Sequence, residues 1–252
     1  MSLIDIKEHE SVYEKRMADV AKEKAYLMMC APKNAIILDY GCGAGDVIQA
    51  ASDMRPDLLF VGFDYSRTAI EHAVSKNIAG AYFTSDEVDA FRAMRRGGAR
   101  VLYMSSLIHE LVSMKGKGGL IDLYDKASGF DMVMIRDMGD SYPEGMLEDE
   151  APDNLFGTGA LRDFQERWGP CTNARNVAHL MLKARYLDNW EAEMLENYFA
   201  MSADENLILA KSYFPDVRLF EKETPPFLAD AFMREYGRLP KTTTHFRLVA
   251  SR

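Results

Sequence analysis

The pattern D-x-G-x-G-x-G, which begins at Asp39, directly follows a short apolar run and has the composition of a nucleoside-binding loop. Glycine lacks a Cβ atom, so a loop built from it turns tightly and lets a ligand approach the backbone. A second apolar run, residues 58–63, ends at Asp64, where an acid can accept hydrogen bonds from a ribose diol. The helical pattern between the two, from Val47 to Met54, would point its N-terminal N–H groups at the ligand. The spacing therefore predicts a nucleoside-binding crevice.

The glycine spacing separates two classes of nucleotide-binding protein. The dinucleotide-binding fingerprint G-x-G-x-x-G would require glycine or alanine at position 46, where this chain has Asp46. An NAD-dependent oxidoreductase is therefore disfavoured. The pattern instead resembles motif I of the class I S-adenosylmethionine (SAM) dependent methyltransferases. This resemblance implies a Rossmann-like α/β fold, SAM as the methyl donor and S-adenosylhomocysteine (SAH) as the product.

The same resemblance implies roles for individual residues. The acid that corresponds to Asp39 lies near the methionine part of SAM, and the one that corresponds to Asp64 binds the ribose hydroxyls. Tyr65 is expected to pack against adenine. Asp86 is expected to accept a hydrogen bond from the adenine amino group, its alternative role being a helix N-cap. Arg16 is expected to pair with the SAM carboxylate, the alternative being a solvated helix face. The implied cofactor-binding residues are Asp39, Gly41, Cys42, Gly43, Gly45, Asp64, Tyr65, Asp86, Ser105 and Arg16.

A histidine and a glutamate, His109 and Glu110, follow the fourth predicted strand, where class I methyltransferases place residues that face the acceptor. The pKa of histidine lies near neutrality, so His109 is the predicted general base for a hydroxyl or an amine. Glu110 is expected to orient His109 or to bind the acceptor. The alternative is that His109 only packs against, or caps, the first turn of a helix. A metal site formed by this pair is disfavoured, because adjacent helical residues do not face the same way.

Motifs and charge bear on the class of acceptor. The N/D-P-P-Y/F motif of DNA amino-methyltransferases is absent, and the K-D-K-E set of ribose 2′-O-methyltransferases is not evident. The net charge of −9 and the pI near 5.1 weigh against broad nucleic-acid binding. A small-molecule acceptor is therefore favoured. Two alternatives stay open: an RNA or DNA methyltransferase with a local basic patch in residues 139–212, and a non-catalytic SAM-binding or scaffolding protein.

Alternating strand and helix patterns must position these residues, and they predict a doubly wound, mostly parallel sheet. Strands are predicted at 35–39, 58–64, 81–84, 101–105 and 131–136, and helices at 46–54, 69–75 and 88–95. Residues 139–175 show little periodicity, and helices are predicted after them at 177–186, 190–201 and 204–212. Strands predicted at 217–222 and 244–251 correspond to the antiparallel pair with which the methyltransferase family closes its sheet.

The predicted organisation is one methyltransferase domain over residues 1–252. It comprises N-terminal helices at 1–33, a Rossmann-like core at 34–138 and 213–252, and a helical cap inserted at 139–212. The fragments S-S-L-I-H-E-L, I-R-D-M, E-N-Y-F and T-T-H-F-R-L-V are also similar to a loose group of methyltransferase-like proteins of phage genomes.

Composition bears on location. No apolar run approaches the roughly 20 residues that a membrane span needs. The N-terminal residues lack the basic-then-apolar layout of a signal peptide, and the three cysteines show no disulfide or metal-ligand spacing. A cytoplasmic location is therefore expected.

Overall fold

The computed structural model describes residues 20–95, 98–140, 157–241 and 243–252. The strands are β1 Ile36–Tyr40, β2 Leu59–Phe63, β3 Ala81–Thr84, β4 Arg100–Ser105, β5 Met132–Met138, β6 Asp216–Glu223 and β7 His245–Ser251. The first helix, α1, spans 20–25 and continues as a 3-10 turn, Tyr26–Cys30. The helices after it are α2 Asp46–Met54, α3 Arg67–Ser75, α4 Glu87–Ala93, α5 Ile108–Lys126, α6 Gly157–Trp168, α7 Ala174–Lys183, α8 Trp190–Glu193, α9 Ala203–Lys211 and α10 Pro226–Tyr236. A 3-10 segment, Ala184–Asn189, joins α7 to α8.

The strands form one sheet in the order β3-β2-β1-β4-β5-β7-β6. Strands β1 to β5 pair in parallel, and β7 runs antiparallel to both β5 and β6. The chain moves outward from β1 in one direction and outward from β4 in the other, so the order reverses between these two strands. This arrangement confirms the predicted Rossmann-like sheet and its antiparallel ending. A ligand crevice is expected at the carboxyl ends of the strands at such a reversal.

Helices cover both faces of the sheet and bury its inner strands, whereas the edge strands β3 and β6 are partly exposed. Helices α4, α5 and α9 pack on one face, where Tyr124 and Phe246 are fully buried. Helices α1, α2 and α3 pack on the other face, around Met28 and Phe60. Because both faces are buried there, the inner strands such as β1 and β4 read in the sequence as largely apolar runs.

A third apolar cluster belongs to a cap that lies beyond the carboxyl ends of the strands. Helices α6, α7 and α10 contribute to it, and its centre holds Phe164, Leu180 and Phe232, all fully buried. Helix α10 was absent from the sequence prediction, as was α6, which occupies part of the segment expected to be irregular. Because α9 packs on the sheet and α10 packs in the cap, the cap differs from the predicted insertion at 139–212.

Some predicted elements are matched closely and one is wrong. Ser66 caps α3 as predicted, since its Oγ accepts a hydrogen bond from the Ala69 N–H at 3.2 Å. The helix predicted at 190–201 ends already at Glu193. The chain turns there because the Asn197 N–H donates to Ser113 Oγ on α5 and the Asn197 side chain accepts from the Phe199 N–H. No helix among the described residues is long and apolar enough to cross a membrane.

Candidate active site

A cleft of about 240 Å³ lies at the carboxyl ends of β1, β2 and β4, next to the reversal of strand order between β1 and β4. Its walls include six of the predicted cofactor-binding residues: Asp39, Gly41, Cys42, Gly43, Asp64 and Ser105. Glu110, predicted to act on the acceptor, also lines the cleft, as does Lys24. The structure thus brings together residues from three strands and two helices that are far apart in the sequence.

The glycine loop has a backbone that side chains would obstruct. Gly41, Gly43 and Gly45 have φ angles of 86°, 52° and 78°, in the left-handed region that favours glycine. A Cβ atom at Gly41 would lie 2.9 Å from the Leu107 side chain, whereas one at Gly43 would meet nothing within 4 Å. Gly43 therefore offers open backbone to a ligand. Gly45 caps α2 and packs near Phe83, so its role here is to let the helix begin.

Asp64 is held in place by backbone N–H groups. Its Oδ2 accepts from Gly43 N and its Oδ1 accepts from Ser66 N, both at 2.8 Å. Each carboxylate oxygen has a second lone pair, so both can still accept a hydrogen bond from a ligand. The acid therefore fixes the glycine loop and remains suited to a ribose diol.

Asp39 and Lys24 form a buried, oppositely charged pair of groups in the cleft. Asp39 is 2% exposed, and its Oδ2 has no hydrogen-bond partner among the described residues. Burial raises the pKa of Asp39 to about 7, although the charge of Lys24 opposes the shift. Burial and the nearby Arg136 lower the pKa of Lys24 to about 8. A buried carboxylate oxygen without a partner is costly, and a ligand that donates a hydrogen bond there would remove the cost.

The sequence predicts Arg16 as the cation of the cofactor site, and Lys24, which lines the cleft, was not among the predicted residues. Arg16 lies outside the described residues. A signal for Lys24 was present, because Ala21, Lys24 and Ala25 share one helical face and both alanines are buried. A lysine on the apolar face of a helix next to strand 1 indicates an internal partner.

Two other predicted cofactor residues lie away from the cleft walls. Asp86 caps α4, since its Oδ1 accepts from the N–H groups of Val88 and Asp89. Tyr65 is 60% exposed, its hydroxyl lies 3.1 Å from that of Tyr40, and Lys115 Nζ lies 4.9 Å from its ring centroid. In the described structure Asp86 therefore fills the alternative role of a helix cap.

A second cavity, of about 630 Å³, lies between the sheet and the cap. It shares Lys24, Ser106 and Glu110 with the cofactor cleft, so the two spaces adjoin. Its size falls in the range of small-molecule sites. Ser106 has a left-handed φ of 54°, unusual for a residue with a side chain, at the turn that leads from β4 into α5. Strained backbone of this kind is common beside functional sites.

His109 lies at the wall of this second cavity and is held between two carboxylates. Its Nδ1 lies 2.6 Å from Asp137 Oδ1, and its Nε2 lies 3.6 Å from Glu196 Oε2. Burial lowers the pKa of His109, but the charges of Asp137 and Glu196 outweigh it and raise the pKa to about 9. The ring therefore carries a proton at neutral pH while Glu196 stays in this position.

Asp137 both orients His109 and caps α5. Its Oδ2 accepts from Leu107 N at 2.7 Å and from Ile108 N at 2.5 Å. Burial would raise the pKa of Asp137, yet His109 and these N–H groups hold it below its usual value. His109 therefore packs at the first turn of α5, and its role as a general base stays a prediction. Its neighbour Arg136 pairs with Glu23 at 3.0 Å instead.

Two other acids that line the cavity, Glu110 and Glu193, have raised pKa values. Burial raises the pKa of Glu110, and the nearby Glu196 adds to the shift. Burial also raises the pKa of Glu193, which accepts a short hydrogen bond from the Tyr198 hydroxyl. Among the described residues, no group of three or more His, Cys, Asp or Glu side chains could hold a metal ion.

The basic residues of the cap do not form an open patch where the structure describes their side chains. Arg175 donates to Asp140 at 2.5 Å and to the Phe199 carbonyl. Arg162 lies 3.8 Å from Asp163, and Arg167 packs over Trp168. Arg175 is therefore paired within the cap, whereas Arg162 stays exposed beside Asp163.

A family model and several solved structures that are similar to this chain are those of methyltransferases. A family model described as a methyltransferase domain matches residues 31–89, which include the glycine loop and Asp64. The fold is similar to that of the plantazolicin methyltransferase BpumL in complex with SAH, with a TM-score of 0.54, 16% identity, and 100% of this chain and 92% of that chain covered. It is also similar to a SAM-dependent methyltransferase from Anabaena variabilis ATCC 29413, with a TM-score of 0.50, 15% identity, and 89% and 80% covered. None of the curated proteins compared with the chain matches it.

The match to the methyltransferase domain falls on the segment whose spacing resembles motif I, and the sheet has the strand order and antiparallel ending expected of that fold. The cleft offers open glycine backbone, an acid with free lone pairs that suits a ribose diol, and a buried carboxylate oxygen without a partner among the described residues. The chain therefore has the fold of SAM-dependent methyltransferases, and its residues 31–89 match the model of a methyltransferase domain.

Proposed function

We propose that the chain transfers a methyl group from SAM to an oxygen or nitrogen atom of a small molecule bound in the cavity beneath the cap. The observation that carries this proposal is the junction of the two spaces at Lys24, Ser106 and Glu110. A molecule in the larger cavity can reach the cofactor cleft there. Holding two reactants in contact supplies much of the rate enhancement of a displacement reaction.

The residues of the cleft have chemical groups that match those of SAM. The backbone of Gly43 would lie against the ligand, and Asp64 would accept hydrogen bonds from the ribose hydroxyls. Asp39 would accept from the α-ammonium group through the oxygen that has no partner, and Lys24 would pair with the α-carboxylate. When bound, SAM supplies an electrophilic methyl group on a positively charged sulfur.

His109 would act as the proton acceptor for the attacking atom. Asp137 holds the Nδ1 side of the ring, which leaves Nε2 directed toward the cavity and Glu196. An imidazole whose other nitrogen is fixed by a carboxylate is oriented for proton transfer at the free nitrogen. Glu196 must yield this position to the acceptor, because it lies 3.6 Å from the same nitrogen.

Two observations favour a small molecule over RNA or DNA. The cavity lies beneath the cap. The cap arginines described above contact carboxylates, a carbonyl or a ring. Recognition of a nucleic acid would need cations available for phosphates.

Titration calorimetry with SAH tests the cofactor part of the proposal. We expect micromolar binding by the wild type and a loss of at least about tenfold, or 1.4 kcal/mol, in Asp64→Ala. Asp53→Ala, which removes an exposed carboxylate on α2, is the matched control and should bind SAH normally. Absence of SAH binding by the wild type would refute the proposal.

A further inference from the structure

We propose that the acceptor is a cationic amine, whose ammonium group binds between Glu110 and Glu196 at the junction of the two cavities. This inference rests on the proposed function and names the substrate class for it. The site is the cavity that adjoins the cofactor cleft, and its wall chemistry selects the ligand.

The charges of the cavity are unevenly distributed. At one end Arg136 is neutralised by Glu23 at 3.0 Å, and Arg247 lies 2.8 Å from the same glutamate. Toward the junction the cavity is lined by Glu110 and Glu196, and burial together with the nearby Glu196 raises the pKa of Glu110. Lys24 also lines the junction, where the proposed function pairs it with the SAM carboxylate, and the His109 ring lies 3.6 Å from Glu196. A substrate ammonium can take over the position of the ring's charge beside Glu196.

Aromatic side chains line the same space. Tyr186, Tyr198 and Phe227 are in its walls. Rings beside carboxylates are the usual surroundings of bound ammonium groups, since the negative face of the ring attracts the cation. Carboxylates alone would suit any cation, whereas rings together with carboxylates favour an organic amine.

The cap already binds one primary ammonium in this way. Lys183 is fully buried, and its Nζ lies 3.7 Å from the centroid of the Tyr198 ring. The same Nζ donates to the Glu193 carbonyl. The opposite side of this wall faces the cavity through Tyr198 and Glu193. The cap therefore holds an amino group beside a tyrosine ring, although burial lowers the pKa of Lys183 to about 8.

The reaction balances with the groups present. His109 first releases its Nε2 proton to solvent as the entering ammonium displaces it from Glu196. The substrate ammonium then passes one proton to the neutral ring at Nε2 and becomes an amine with a free lone pair. That lone pair forms the nitrogen–carbon bond to the methyl group, and the electron pair of the broken carbon–sulfur bond stays on sulfur. The products are a methylammonium, SAH and a protonated His109, which returns its proton to solvent. An ammonium and an imidazole with a pKa of about 9 are close enough in acidity for efficient transfer.

A set of three probes of equal size tests the inference: phenethylamine, 2-phenylethanol and phenylacetate. Binding of each to the SAH-saturated wild-type protein is measured by calorimetry, and methylation of each is measured with SAM by mass spectrometry. We expect the amine to bind at least about tenfold more tightly than the alcohol, and the carboxylate least tightly of the three. Methyl transfer, where it occurs, should be to the amine.

Glu196→Gln is the principal variant, because Glu196 lines the acceptor cavity without lining the cofactor cleft. It should lose most of the preference for the amine and keep its affinity for SAH. Glu110→Gln should lose the preference as well. Glu191→Gln removes an exposed carboxylate of the neighbouring helix α8 and should behave as the wild type.

Three results would overturn the inference: an alcohol that binds as tightly as the amine, no binding of the amine to the SAH-loaded protein, or a preference that survives in both glutamine variants. Any of these with normal SAH binding would leave the proposed cofactor site intact. A wild type that fails to bind SAH would instead refute the proposed function itself.

Discussion

Asp39 lies at the end of β1 with one carboxylate oxygen that has no partner among the described residues. Its pKa is about 7 in the folded protein and 3.8 as a free side chain, with burial as the main cause. The unfolded chain therefore loses this proton near pH 4, while the folded chain keeps it until near pH 7. It follows that the free energy of unfolding falls across this interval and that Asp39 contributes no further change above it.

Replacing this acid should separate stability from binding. Relative to the wild type, Asp39→Asn should gain up to about 4 kcal/mol in unfolding free energy between pH 4 and pH 7, because each pKa unit corresponds to about 1.4 kcal/mol. Urea unfolding at several pH values measures the difference. The variant should bind SAH more weakly, since it lacks the charge for the α-ammonium group. A pH-independent difference would contradict the buried, late-titrating carboxyl.

His109 offers a second test that needs no acceptor. Its pKa of about 9 depends on Asp137 and Glu196, which overcome the effect of burial. In Glu196→Gln one of these charges is lost, so the midpoint should move to lower pH. NMR titration of the ring carbon resonance of His109 measures both midpoints. Identical midpoints in the wild type and in Glu196→Gln would argue that Glu196 does not face the ring.

The pH dependence of the reaction gives a further test once an acceptor is available. If the base is His109, methyl transfer by the wild type should rise with pH toward the same midpoint, because only the neutral ring accepts a proton.

At the scale of elements, the glycine loop combines two separate requirements at neighbouring positions. Gly41 has a positive φ and Leu107 beside it, whereas Gly43 has a positive φ and open space beside it. Gly41→Ala should therefore reduce stability by about 1–3 kcal/mol through both strain and overlap. Gly43→Ala should cost about 1–2 kcal/mol from strain alone and should weaken SAH binding by at least about tenfold, because its methyl group enters the cleft.

Thermal unfolding and SAH titration of the two alanine variants distinguish these effects. Gly118→Ala is the control, since Gly118 is inside α5 with no positive φ and nothing within 4 Å of a Cβ atom. That change should leave SAH binding unaltered and should slightly raise stability, because alanine is the better helix former. Equal SAH binding by Gly43→Ala and the wild type would show that the ligand does not approach this part of the loop.

Sequence alone predicted the elements that local patterns determine. Helix 46–54 was predicted with the bounds it has, because a glycine loop precedes it and an apolar face runs through it. Helix α10 was overlooked although Pro226 at its first turn and Gly237 at its end are ordinary start and stop signals. The predicted helix 190–201 failed at Asn197, whose turn depends on Ser113 of a distant helix. Contacts of that kind have no local signature.

The residues of the candidate site also fall into two groups, those that local sequence patterns indicate and those that distant contacts bring together. Spacing indicated Asp39, Gly43 and Asp64, since their roles follow from one loop and two strand ends. Glu196 could not be assigned in this way, because only the folding of the cap over α5 brings it to His109. Site residues that come from one βαβ unit can be predicted from the sequence, whereas residues that meet only when two layers pack together cannot.

At the scale of the whole molecule, the sheet and the cap each bury a histidine. His245 begins β7, and His179 lies in the cap between Phe164, Trp168 and Tyr198. Burial, together with nearby cations, lowers the pKa of both well below 6.5. Both rings are therefore neutral in the folded protein at pH values where the unfolded chain would protonate them.

This pair should make the folded protein sensitive to acid. As pH falls below 6.5, the unfolded chain takes up a proton at each histidine and the folded chain does not, so stability is present above 6.5 and lost below it. Each histidine should contribute a loss of about 1.4 kcal/mol per pH unit.

His179→Gln should be less stable near neutrality, because it loses ring contacts, yet its stability should fall less steeply in acid. His72→Gln, at an exposed position of α3, should keep the wild-type slope. Urea unfolding at pH values on both sides of 6.5 measures these slopes, and an unchanged slope in His179→Gln would mean that the cap histidine is protonated when folded.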